Sequence, residues 1–195
     1  MATGAGEIRS PRCRDAEHIL GMGLDKNGRE WSEAEGRALH VRLRALGVKV
    51  VAAESLTAGR VQVDLGRWSG ASGYFAGGLT AYEIAAKVGV LGVDAGHAAD
   101  VNGVSARVAA EMARGAAKLF GAEIGVATTG YAEPDAARGV AEPFAWVAVT
   151  RGAAEPVTRR VAGAGLGREA MQARAAATAL RLLAEAVAGA GGGGA

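Results

Sequence analysis

Three short stretches of this chain hold side chains able to do nucleophilic and acid–base chemistry. The first is Ala-Glu-Ser-Leu-Thr-Ala-Gly over 53–59, which follows an apolar run and offers a hydroxyl at Ser55 beside the amides of an expected helix start. A serine there becomes a nucleophile when a neighbouring base takes its proton, and unpaired amides can hold an oxyanion or a phosphate. The same spacing suits Ser55 or Thr57 as a plain helix cap. The second stretch sets Tyr82 five residues before Lys87, with Val88, Val90 and Leu91 following. A lysine is a base only when neutral, so its ordinary value of ~10.4 must fall toward 7, at a cost of about 4 kcal/mol, and burial is the usual source. Tyr82 can relay a proton or position the amine. An exposed lysine and a half-buried tyrosine at a sheet edge fit the spacing too. The third stretch, Thr128 to Asp135, ends an apolar run in Thr129-Gly130 and supplies hydroxyls and a close backbone approach. A surface turn at Gly130 and Pro134 is its alternative reading.

The elements that must carry these residues alternate. Ser32 and Glu35 form a capping box, Leu39, Leu43 and Leu46 recur at helical spacing, and Gly47 stops the helix. A strand is expected over Val48–Ala53, then a helix from near Thr57 to just before Gly66, and a strand over Tyr74–Ala81. Ser105 caps a helix that carries Val108, Met112 and Leu119 and closes at Gly121. Strands follow at Ile124–Thr129, Phe144–Val149 and Val157–Val161. A long helix runs from about Gly167 to Ala188, with Leu180, Leu183 and Val187 as its buried stripe. Helices interleaved with short apolar strands predict an α/β fold, with both faces of a mixed, mainly parallel sheet covered. Ligands of such sheets bind beyond the carboxyl ends of the strands, where all three stretches fall. Residues 1–30, rich in glycine and without periodicity, read as a flexible lead. The folded domain is expected over 31–188, and 189–195 as a Gly-rich tail.

Composition excludes several function classes. The chain has 195 residues, with 22 basic against 20 acidic side chains and 5% aromatics. That balance forms no basic stripe and argues against nucleic acid as a partner. No apolar run reaches the ~18 residues needed to span a bilayer, so no membrane partner is expected. The lone Cys13 has no disulfide partner, which suits a reducing cytoplasm. His18, His40 and His97 lack metal-ligand spacing, so neither a metal nor another cofactor is called for. The run Gly163 to Gly167 before Arg168 lacks the third glycine of a dinucleotide fingerprint. Arg168 itself, at a helix start, can clamp a phosphate or carboxylate. The Ala-rich terminal helix leaves self-association open.

Taken together, 53–59, the run Gly70-Ala71-Ser72-Gly73-Tyr74-Phe75-Ala76-Gly77-Gly78, Tyr82 with Lys87, Leu91-Gly92-Val93, Val104-Ser105 and Thr129-Gly130 resemble the carboxy-terminal domain of the CinA (competence/damage-inducible) family. The resemblance runs from about Leu39 to Leu183. It implies a three-layer α/β/α sandwich and a nicotinamide-nucleotide amidohydrolase, converting nicotinamide mononucleotide to nicotinate mononucleotide and ammonia. Ser55 would be the nucleophile, with Tyr82 and Lys87 as the acid–base pair. Glu54, Thr57, Gly59, Ser72, Thr129, Gly130 and Arg168 would bind substrate. Amides at the start of the helix after Ser55, with the Thr129 hydroxyl, would hold the oxyanion. The full-length members carry a further amino-terminal domain that this chain is too short to contain, which implies a stand-alone amidohydrolase.

The chain also departs from the family pattern. Where the family loop reads Gly-Ile-Ala-Gly-Pro, this one has Gly130-Tyr131-Ala132-Glu133-Pro134-Asp135. Its two carboxylates would repel a phosphate, with Arg138 and Arg168 placed to offset them. Bulk at Phe144 and Trp146 replaces smaller residues. Two alternatives follow: an amidase for a less anionic amide, and a non-catalytic nucleotide- or partner-binding module of the same fold.

Overall fold

The computed structural model describes residues 30–188. The expected lead up to residue 29 and the tail at 189–195 lie outside the described residues.

The chain folds as α1 (Glu33–Leu46), β1 (Val50–Glu54), α2 (Arg60–Gly66), β2 (Phe75–Thr80), α3 (Ile84–Leu91), α4 (Ala95–Asp100), α5 (Ala106–Phe120), β3 (Ile124–Tyr131), β4 (Phe144–Arg151), β5 (Val157–Ala162) and α6 (Arg168–Ala188). The helix ends follow local chemistry. The Ser32 hydroxyl accepts the Glu35 amide and the Glu35 carboxylate accepts the Ser32 amide, while Gly47 closes α1 in a left-handed cap. Ser105 likewise caps α5 through the Val108 amide.

The five strands lie in the order β2-β1-β3-β4-β5. β1 pairs in parallel with β2 and β3, and β3, β4 and β5 pair antiparallel in turn. Four strands therefore run the same way and β4 alone is reversed. Successive residues of β1 point to opposite faces, as the two-residue period requires. Val50 and Ala52 pack with Leu43 of α1, Val61 of α2 and Leu180 of α6. Val51 and Ala53 pack with Leu91 of α3, Ala98 of α4 and Met112 of α5. The result is a three-layer α/β/α sandwich with a mixed sheet, as expected.

Three details differ from the sequence reading. Helix α2 begins at Arg60 rather than near Thr57, because Ala58 (φ 49°) and Gly59 (φ 101°) are left-handed and cannot belong to a right-handed turn. Helices α3 and α4, of 8 and 6 residues, are too short to display a helical period. Leu119 is 55% exposed, so the buried stripe of α5 stops short of it.

Candidate active site

The carboxyl ends of β1, β2 and β3 converge on one edge of the sheet, and a cleft of about 570 Å³ opens there. Ser55, Tyr82, Lys87, Gly130 and Arg168 all line it. Ser55 follows the last residue of β1, and its amide donates to the Thr128 carbonyl at 3.0 Å, which extends the β1–β3 ladder by one step. Its hydroxyl has no hydrogen-bond partner among the described residues.

Lys87 is 3% exposed although it carries an amine. Helix α3 turns it inward at the cleft floor, where Nζ donates to the Tyr82 carbonyl at 3.0 Å. Burial pulls the amine down from an ordinary 10.5 to about 8. Gly103 lies against it, with a φ of +67° that suits glycine, and a Cβ there would meet Nζ in ordinary contact at 3.4 Å. The Gly103 carbonyl in turn accepts the Thr129 hydroxyl at 2.6 Å. Thr129 is thus committed to the backbone, and its expected role as an oxyanion donor does not fit this arrangement.

Glu54 and its neighbours form the turn rather than the cleft wall. The Glu54 carboxylate is 1% exposed. Its Oε2 accepts the Thr57 hydroxyl at 2.6 Å and the amides of Gly59 and Val61 at 3.0 and 3.2 Å, while Oε1 accepts the Gln62 amide at 2.9 Å. The carboxylate therefore caps α2 from outside the helix and consumes the amides that the sequence assigned to an oxyanion. The amides left without an acceptor among the described residues are those of Leu56 and Thr57, and Leu56 lines the cleft. Thr57 and Gly59 border a separate hollow between α2 and α6. Glu54→Ala strips the acceptor from four buried or part-buried donors, and the expected loss is about 3–4 kcal/mol of unfolding free energy, read from the urea midpoint.

Tyr82 is 54% exposed, and its phenol oxygen accepts Arg168 Nη2 at 2.8 Å. Arg168 Nη1 bonds Glu133 at 2.9 Å, and Arg138 pairs with Asp135 at 2.6 Å. Both loop carboxylates thus meet the arginines expected to offset them. Gly130 is a glycine for a packing reason, since a Cβ there would overlap the Phe144 carbonyl and lie 2.6 Å from Ala145 Cα. Ser72 is not brought to the cleft. It sits in the 3₁₀ turn at 71–73 that feeds the start of β2, at the opposite edge of the sheet, where its carbonyl accepts Lys49 Nζ.

Sequence reasoning passed over Asn102, which lines the cleft and whose side-chain amide donates to the Tyr131 hydroxyl at 3.0 Å. Its signal was the Asn-Gly dipeptide, a turn marker, and both residues have positive φ here. Among the described residues, no group of three or more His, Cys, Asp or Glu side chains is placed to hold a metal ion. No described helix is long and apolar enough to cross a membrane.

The model of one family, the CinA C-terminal domain, matches residues 33–187, nearly the whole described fold. The chain belongs to this family. A CinA-like protein of Mycolicibacterium gilvum is 42% identical over 127 residues, covering 64% of this chain and 30% of its own length. One from Mycolicibacterium vanbaalenii is 36% identical over 178 residues, 89% of this chain and 42% of that protein. The chain spans about a third of the length of the curated relatives it matches. Among solved structures, a CinA superfamily protein of Klebsiella pneumoniae superposes with a TM-score of 0.74 at 28% identity, over 80% of this chain and 96% of that one. A competence/damage-inducible protein of Agrobacterium tumefaciens gives 0.73 at 27% identity, over 80% and 94%. In this CinA-family chain the cleft at the carboxyl edge of the sheet holds Ser55, Tyr82 and Lys87 together.

Proposed function

We propose that this chain is an amidohydrolase that converts the carboxamide of nicotinamide mononucleotide to a carboxylate, releasing ammonia. The observation that carries this reading is the burial of the Lys87 amine, 3% exposed and thereby lowered to about 8, in the same cleft as a Ser55 hydroxyl without a partner among the described residues. With that value roughly one molecule in ten holds a neutral amine at pH 7, against about one in three thousand for an ordinary lysine.

Lys87, directly or through Tyr82, takes the Ser55 proton as the hydroxyl oxygen attacks the carboxamide carbon. The carbonyl oxygen becomes an oxyanion, for which the free amides of Leu56 and Thr57 are the donors at hand. When the intermediate collapses, the C–N bond breaks and the protonated amine returns the proton to the departing nitrogen, which leaves as ammonia. A water molecule then gives a proton to Lys87 and attacks the acyl–serine ester. The acid is released and the serine restored. One amide and one water are consumed, and one acid and one ammonia are formed.

Incubation with nicotinamide mononucleotide is expected to yield ammonia and nicotinate mononucleotide in a one-to-one ratio. Thermal stabilisation by the nucleotide with no ammonia from pH 6 to 10 contradicts the reading and favours a non-catalytic binding module.

A further inference from the structure

The two guanidiniums an anionic ligand would seek in the cleft already face internal carboxylates. Arg168 Nη1 lies 2.9 Å from Glu133 and Arg138 Nη1 lies 2.6 Å from Asp135. These four charges cancel. Both pairs are partly exposed, with side chains 44% and 60% accessible in the first and 50% and 26% in the second. Ion pairs in such surroundings are weak, so a ligand phosphate can displace the carboxylate from its arginine. The displaced carboxylate stays tethered to the same short loop and repels the phosphate from a few ångströms away.

A pyridinium carboxamide attached to a sugar carries one positive charge on its ring, and a phosphate monoester adds roughly −2 near neutral pH. The nucleotide is therefore a net anion and its unphosphorylated nucleoside a cation. Paired in this way, Glu133 and Asp135 remove the advantage that two free arginines would give to a phosphate, and the loop presents no net positive charge to repel the cationic ring. We propose, on the footing of the amidohydrolase reading above, that Glu133 and Asp135 set the charge selectivity of this cleft and extend its substrates to the cationic, unphosphorylated nucleoside carboxamide. The reaction is the same hydrolysis, carboxamide plus water to carboxylate plus ammonia. Glu133 and Asp135 supply neither nucleophile nor proton in it, so their influence falls on KM more than on kcat.

The test compares ammonia release from nicotinamide mononucleotide and from nicotinamide riboside by the unaltered protein, Glu133→Gln and the double variant Glu133→Gln/Asp135→Asn. The unaltered protein is expected to process the two with kcat/KM within about tenfold of each other. In the double variant the nucleotide-to-nucleoside ratio is expected to rise by about tenfold or more, through KM, and about 0.5 M salt is expected to shrink that rise. A folded double variant whose ratio stays within about twofold of the original overturns the proposal. Ammonia from neither compound defeats the amidohydrolase reading and leaves charge selectivity to be read as binding. Calorimetric titration of the Ser55→Ala protein with both compounds then gives the same ratio as dissociation constants. An unchanged ratio across the loop variants, or no binding of either compound, overturns the proposal.

Discussion

Lys87→Met is expected to abolish ammonia release and, at the same time, to make the protein more stable at neutral pH. The loss of activity follows from removing the base and is expected at 10³-fold or more, on the order of the largest general-base effects. The gain in stability follows from linkage. The folded protein holds its amine at about 8, whereas an unfolded chain returns it to its ordinary 10.5. Between those values the unfolded state binds the extra proton, so stability falls as pH drops from above 10.5 to about 8 and stays low below that. The gap is worth roughly 3 kcal/mol. Methionine has similar reach and no charge, but it forfeits the bond to the Tyr82 carbonyl, so a net gain of about 2 kcal/mol at pH 7 is expected. Urea unfolding at pH 7 and pH 10.5 reads this directly, with the variant losing the pH dependence that the parent shows across that interval. Opposite signs in activity and stability separate a catalytic lysine from a structural one, because a structural lysine would lose stability when replaced.

Ser55→Ala is expected to cost at least about 10⁴-fold in kcat, with nucleotide binding retained. A nucleophile that acts as a unit with its base takes nearly the whole covalent route with it when removed. The fold has little at stake at this position. The Ser55 amide, not its hydroxyl, continues the ladder to Thr128, and the neighbouring turn is held by Glu54. Binding of nicotinamide mononucleotide to the variant, measured by calorimetry, is expected to lie within a few-fold of the parent. Undiminished ammonia release by Ser55→Ala would remove the nucleophile assignment.

Much of this was legible in the sequence because local chemistry and tertiary structure agree. The capping box at Ser32 and Glu35, the stop at Gly47 and the Ser105 cap all appear where the residue types demand them. The strands were readable as short apolar runs, and their ends placed Ser55, Tyr82 and Thr129 near one edge of the sheet. The errors arise where a side chain's partner comes from elsewhere in the chain. Nothing in Ala-Glu-Ser-Leu-Thr-Ala-Gly announces that Glu54 turns back to cap α2, and the sequence leaves open only an anion cradle or a cap by Ser55 or Thr57. The Thr129 hydroxyl looked free until the Gly103 carbonyl was brought to it by a turn 26 residues earlier. Ser72 lies in a motif that matches the family, yet in a parallel pair the chain enters β2 at the edge opposite to where it leaves β1. Ser72 therefore stands about a full strand length away from the cleft.

The account rests on an uncharged amine activating a hydroxyl, and the pH dependence of kcat/KM for ammonia release tests it most directly. The neutral form is the active one, so the rate is expected to climb about tenfold per pH unit below the transition and to level off above a midpoint near 8. A profile that is flat across that range, or that falls as the amine loses its proton, contradicts the assignment of Lys87 as the base.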